Sequence, residues 1–371
     1  MIIAGGLSVF DDSGEPVGHD SNYTTIVIVH GLVWHGATFA KLRPIARARG
    51  VRVIALNRRD YPGARPYTSE ERALLPSIPQ DLKPPTAGDG TPLGAEGLDS
   101  YVRQRAHELY ECLQALVEER NIPPFSPASK KGGIVLVGWS LGCTWISGLL
   151  AHVSSFPAGH ARLQAYIRRV IWQDPLSHIL GYAPPARDPY VPTMNTSLEP
   201  QERMRVFTQW ITSYFSHKHL DSEDGLERRT ALRYPPSTFD AMSENDRRST
   251  MHASPGAPGG SDWDLLFGSC LLGTVRNLRK GALYPPRADA KAEDWGNIEL
   301  RVLWGDRSVW AVPYAITHLR QELAHADREG RDRRPVSVMR LRGANHFAHW
   351  GHPEQTLEAY LADNLKADRD I

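Results

Sequence analysis

The sequence predicts an α/β protein: a mostly parallel central sheet with helices on both faces, plus one long, mainly helical insertion. Three observations carry this. Short β-branched apolar runs recur along the chain, helical patterns separate them, and a long interval, residues 176–292, is the larger of two that break the alternation. The first run, Thr25-Ile26-Val27-Ile28-Val29-His30, is apolar almost throughout, as suits a central strand buried on both faces; a half-exposed strand would alternate. Similar runs follow at Arg52–Leu56, Ile134–Val137, Val170–Trp172, Leu300–Trp304 and Val336–Met339. Between them, Val102, Ala106, Leu109, Leu113 and Leu116 recur at steps of three and four, which marks an amphipathic helix. Phe39–Arg49, Leu141–Val153, Tyr314–Ala324 and Pro353–Leu365 are the other expected framework helices.

Two intervals depart from the pattern. Tyr61–Gly97 is rich in proline and glycine, including Pro84-Pro85 and Gly88-Asp89-Gly90, and reads as a long excursion at the rim. Residues 176–292 carry Met204, Phe207, Ile211 and Tyr214 at helical spacing, and are expected to form a cap over a framework of residues 1–175 and 293–371. Within the cap, Ser254–Ser261 is nearly all proline, glycine, alanine and serine and reads as a flexible loop.

Composition narrows the function classes. With 43 Lys and Arg against 42 Asp and Glu, no global positive field draws in phosphate backbones, so nucleic acid is not an expected partner. Met1–Phe10 lacks a basic leader, and no later run approaches the roughly 18 apolar residues of a membrane helix, so a cytoplasmic protein without membrane contact is expected. Cys112, Cys143 and Cys270 are too few and scattered for a disulfide framework or thiolate metal site, and read as packing residues.

The chemistry starts at Gly138-Trp139-Ser140-Leu141-Gly142, directly after the run Ile134–Val137 and before an apolar helical pattern. A serine on so tight a strand-to-helix turn is held exposed in a strained conformation, and the flanking glycines let strand and helix approach closely enough to allow it. Upstream, the first strand runs into Gly31-Leu32-Val33-Trp34-His35-Gly36. With these two loops in place the chain resembles the α/β-hydrolase superfamily. The resemblance covers the framework from about Thr25 to Leu365 and leaves both inserts outside.

That resemblance implies a serine hydrolase with Ser140 as nucleophile and backbone donors to an oxyanion at Leu141 and Leu32, with Val33 the alternative to Leu32. It places the base at His346, in Arg342-Gly343-Ala344-Asn345-His346-Phe347 after the last strand. A neutral imidazole there can take the serine proton and return it to the leaving group. The carboxylate that orients the imidazole is expected at Asp306, in Leu303-Trp304-Gly305-Asp306-Arg307, with Asp174 in Trp172-Gln173-Asp174-Pro175 as the alternative. His30 is expected to brace its turn, and Asp60 to hold the loop Asn57–Gly63 by salt bridges and hydrogen bonds. His349 and His352 invite a metal reading, but no acidic or cysteine partners complete a site, so neither metal nor organic cofactor is expected. Trp34, His35, Trp139 and Trp210 are the candidate substrate contacts.

The expected substrate is a hydrophobic small molecule, an ester, lactone or thioester, with water as second substrate. Carbon–carbon bond hydrolysis, or acyl transfer or cyclisation with the same triad, is the catalytic alternative. Epoxide hydrolase or dehalogenase chemistry is disfavoured, since those relatives carry aspartate where this chain has Ser140. A ligand receptor on a hydrolase scaffold is the alternative of another class.

Overall fold

Every apolar run picked out above forms a strand, and two more strands close the edges of the sheet. The computed structural model describes residues 3–18, 21–78, 94–285, 294–363 and 368–370. Its strands are β1 (Ser8–Asp12), β2 (Thr25–Val29), β3 (Arg52–Asn57), β4 (Ile134–Trp139), β5 (Ile167–Gln173), β6 (Leu300–Gly305), β7 (Val336–Leu341) and β8 (Asp368–Asp370). They lie in the order β1-β3-β2-β4-β5-β6-β7-β8. Only β1 runs antiparallel to its neighbour. Every residue of β2, β3, β4 and β6 is buried, which explains their unbroken apolar patterns.

The edge strand β1 was not marked by its sequence. It is short, partly exposed, carries Asp11 and Asp12, and slips register between Val9 and Asp11. Asp12 secures it with a forked ion pair to Arg52 on β3, at 2.8 and 2.7 Å.

The flanking helices are α1 (Leu42–Ala48), the single turn α2 (Ser69–Arg72), α3 (Ala95–Glu119) and α4 (Gly142–His152). Between β5 and β6 the insertion supplies α5 (Pro200–Thr212), α6 (Thr238–Ala241), α7 (Glu244–Thr250), α8 (Ser261–Leu272) and α9 (Thr274–Leu283). After β6 come α10 (Ala311–Arg328), α11 (Ala348–Gly351) and α12 (Pro353–Leu361). The apolar stripe of the insertion holds for Phe207 and Ile211, which α5 buries, whereas Tyr214 falls two residues beyond the helix end. Ser254–Ser261 is not a free loop: it contains a short 3-10 turn, and Pro255 and Gly256 are buried. Pro84-Pro85 and Gly88-Asp89-Gly90 lie outside the described residues.

This topology fixes where chemistry can occur. Strand β2 has β3 on one side and β4 on the other, so the winding reverses between β2 and β4. In open parallel sheets a crevice forms at such a reversal, beyond the carboxyl ends of the strands. The loop His30–Gly36 follows β2 there, and Ser140 follows β4.

Candidate active site

Ser140 occupies the turn between β4 and α4 with φ of +54°, the left-handed region that a side chain rarely enters. Its N–H donates to the Gln173 carbonyl at 3.0 Å, and its own carbonyl accepts from the Cys143 N–H at 2.9 Å, so the turn is tied to β5 and to the first turn of α4. Both flanking glycines are required by close approach: a Cβ on Gly138 would lie 2.7 Å from the Gly142 carbonyl oxygen, and one on Gly142 would lie 2.4 Å from that of Val29. Cys143, one turn on, is fully buried, gives its thiol to the Gly138 carbonyl at 3.1 Å, and is pushed well up by burial; it is a packing residue.

His346 is almost wholly buried, and its Nδ1 lies 2.6 Å from Oδ2 of Asp174. The alternative acid, not Asp306, is therefore the imidazole's partner. Asp174 is itself at φ +51°, and it accepts from Gly305 N–H at 2.8 Å and from Ser308 Oγ–H at 2.6 Å. Three donors thus converge on one carboxylate, which fixes its orientation. Asp306 faces elsewhere: Oδ1 accepts from Gly343 N–H at 2.7 Å, and Oδ2 lies 3.8 Å from Arg340. The cause is the course of the chain. The histidine loop passes so close over Gly305 that a Cβ there would lie 2.3 Å from the Ala344 carbonyl oxygen, and Asp306 emerges on the Gly343 side of that crossing. With Nδ1 facing a carboxylate, the imidazole is set in the tautomer whose Nε2 can accept a proton.

Trp139 joins the two loops one residue from the hydroxyl, donating its indole N–H to the His346 carbonyl at 2.9 Å. Ser140 and His346 share no direct hydrogen bond, a common state of such pairs before substrate binds.

The loop after β2 is held by a buried polar cluster. His30 Nε2 accepts from Arg58 N–H at 3.0 Å, so its Nδ1 carries the proton and donates to the Gly31 carbonyl at 2.9 Å. Burial, reinforced by the Arg58 charge, holds this ring well below the usual histidine range. Arg58 donates to the Gly31 carbonyl at 2.8 Å and forks onto both oxygens of Asp262, from α8, at 2.6 Å each. Tyr61 gives its hydroxyl proton to Asp262 at 2.7 Å and accepts from Val33 N–H at 3.0 Å. Val33 N–H is therefore spent on Tyr61, which removes it as an oxyanion donor, whereas the Leu32 and Leu141 N–H groups find no acceptor among the described residues. The same loop is strapped to the insertion through His35 N–H to Thr250 at 3.0 Å and His252 N–H to Val33 at 2.7 Å. Asp60, at φ +66°, braces its turn as expected, accepting from Tyr67 N–H and Ser261 Oγ–H.

A cavity of about 20 Å³ opens at Ser140, walled by Leu32, Leu141, Leu176, Phe207, Ile211 and Leu266 among others. His178 and Val191 belong to this wall and also to that of a second cavity, of about 580 Å³. None of the four expected substrate contacts lines either one. Trp34 packs edge-on against Phe347, and His35 caps the turn Gly36–Phe39 through its Nδ1 and meets Phe10 edge-on. Trp139 is bound to His346, and Trp210 gives its indole N–H to the Arg228 carbonyl at 2.8 Å. These rings are large enough to fill the interior, where Trp139 and Trp210 give their indole N–H groups to carbonyls while that of Trp34 meets no acceptor among the described residues. His349 likewise braces, between Thr38 at 3.4 Å and Gln173 at 3.2 Å. Sequence reasoning missed His178 and Asp262. The first stands four residues after Asp174, and the second follows a Gly-rich stretch with no motif around it.

A family model described as the alpha/beta hydrolase family matches residues 26–359, so the chain belongs to that family. Solved structures resemble the chain at low sequence identity. A point mutant of the epoxide hydrolase from Solanum tuberosum is 12% identical, covers 96% of this chain and 95% of its own, and superposes with a TM-score of 0.50. A bromoperoxidase from Bacillus anthracis is 15% identical over 95% and 94% of the two chains, with a TM-score of 0.41. A carboxylesterase study of Nitrososphaera gargenis gives a match of 14% identity over 94% and 90%, with a TM-score of 0.42. No curated protein sequence matches the chain. No described helix is long and apolar enough to cross a membrane.

Proposed function

We propose that the protein is a serine hydrolase that cleaves a mainly apolar ester, lactone or thioester through an acyl-enzyme at Ser140. Residues 176–292 act as its cap and residues 1–175 with 293–371 as its framework. The observation that carries this reading is the imidazole of His346 held 2.6 Å from a carboxylate that three donors fix in place, in a loop bound to the strained turn of Ser140.

In the first half-reaction Ser140 Oγ bonds to the acyl carbon while its proton passes to Nε2 of His346, and the carbonyl oxygen becomes an oxyanion held by the Leu32 and Leu141 N–H groups. The tetrahedral species collapses by breaking the bond to the leaving group, which departs with the proton from His346. Water then repeats the sequence, giving up a proton to His346 and releasing the acid with Ser140 restored. Each backbone donor contributes roughly 3 kcal/mol, because it is aimed at charge that exists only in the transition state. Asp174 keeps the tautomer and offsets the imidazolium charge.

The test is covalent. Incubation of the folded protein with a fluorophosphonate is expected to add one phosphonyl group, found by mass spectrometry on the peptide carrying Ser140 and absent from Ser140→Ala. A folded protein that stays unlabelled would refute the reading.

A further inference from the structure

The two cavities differ greatly in size and share the wall residues His178 and Val191. The space at Ser140, about 20 Å³, has room for about one water molecule or methyl group. Leu32, Leu141, Phe207, Ile211 and Leu266 close it. The neighbouring cavity of about 580 Å³ is of the size that takes a whole small molecule, with walls that include Tyr182, Tyr190, Met194, Val275 and Trp310. It is held open from behind: Trp310 gives its indole N–H to the Tyr190 carbonyl at 2.7 Å, and Tyr314 its hydroxyl to that of Ala183 at 3.1 Å.

The chemistry decides which half of a substrate goes where. The leaving oxygen must receive its proton from His346, so the alcohol lies on the imidazole side of the acyl carbon. His178, four residues after the Asp174 that grips His346, is near enough to His346 to feel its charge, and it lines both cavities. Its ring makes no hydrogen bond to another described residue. Burial, and secondarily the nearby His346, brings it down to about 4, so it is a neutral imidazole able to donate to or accept from a ligand.

We propose that these paired cavities select esters of an acetyl-sized acyl group with a bulky, mainly apolar alcohol, the alcohol filling the larger cavity and meeting His178 at the neck. This rests on the serine-hydrolase reading and adds the direction in which substrate lies.

Steady-state kcat/KM for 1-naphthyl acetate, 1-naphthyl hexanoate and methyl decanoate, run beside fluorophosphonate labelling, separates the two. The acetate is expected to exceed both others at least tenfold. Met194→Trp, at a position 42% exposed on the larger cavity's rim, should lower the ratio of 1-naphthyl acetate to ethyl acetate turnover several-fold. Leu266→Ala, which enlarges the small cavity, should raise the hexanoate relative to the acetate. Ser140 labelled but methyl decanoate equal or preferred would overturn the inference alone; no adduct and no turnover of any ester would overturn both it and the serine-hydrolase reading.

Discussion

Asp174 and Asp306 stand just beyond the carboxyl ends of the neighbouring parallel strands β5 and β6, yet only one reaches the imidazole. Asp174 is buried, sits in the left-handed region, and gathers Gly305 N–H, Ser308 Oγ–H and the His346 ring. Asp306 is partly exposed and supports the Gly343 turn. Strand-end position alone is thus a weak guide to role. What distinguishes the two is the loop that crosses Gly305 and the set of donors each carboxylate meets.

Removing the charge from each aspartate should separate them. Asp174→Asn is expected to lower kcat by about 10³ to 10⁴, because an amide leaves the imidazole in the wrong tautomer with its cation unsupported. Ester turnover at saturating substrate, with KM compared, measures it. A loss under tenfold would break the distinction.

A change away from both carboxylates sharpens it from the stability side. Asp262→Ala leaves the Arg58 guanidinium buried and unpaired beneath the Gly31 carbonyl, and should cost about 3 to 5 kcal/mol in chemical denaturation. Asp306→Asn, by contrast, still offers an oxygen to Gly343 N–H, so its expected effects are within about threefold in kcat and about 1 kcal/mol in stability. A larger kinetic loss there would restore Asp306 as a participant.

A further effect concerns acid. His178, beside Asp174 in the chain, and His35 are both brought down to about 4, mainly by burial, against about 6.5 in an unfolded chain. Between those values the unfolded state binds more protons, so stability rises with pH across the window and is lost as pH falls from 6.5 towards 4. A melting temperature at pH 5 roughly 5 °C below that at pH 7 is expected, with a shallower slope in His178→Phe.

Much of this was legible because burial on both faces leaves a strong trace. Central strands such as Thr25–Val29 and Ile134–Trp139 must be apolar throughout, and the turn at Ser140 must carry glycines where backbones meet. Ser140, His346, Leu32 and Leu141 are candidates that those strands, and the resemblance they support, pick out in the sequence. The rest depends on contacts distant in sequence. Nothing around Asp262 announces that it will grip Arg58, 204 residues away, or around Asp306 that a later loop will turn it aside. The tryptophans misled for a related reason: a large ring with one polar atom suits a ligand site and a buried hydrogen bond equally well, and here Trp34, Trp139 and Trp210 are packed inside.

The most direct measurement is the low-field imidazole proton resonance of His346, recorded by NMR in the unmodified protein, Asp174→Asn and Asp306→Asn. A short bond from Nδ1 to Asp174 predicts a strongly downfield signal that persists in Asp306→Asn and vanishes in Asp174→Asn. Loss of the signal in Asp306→Asn with its retention in Asp174→Asn would contradict the account.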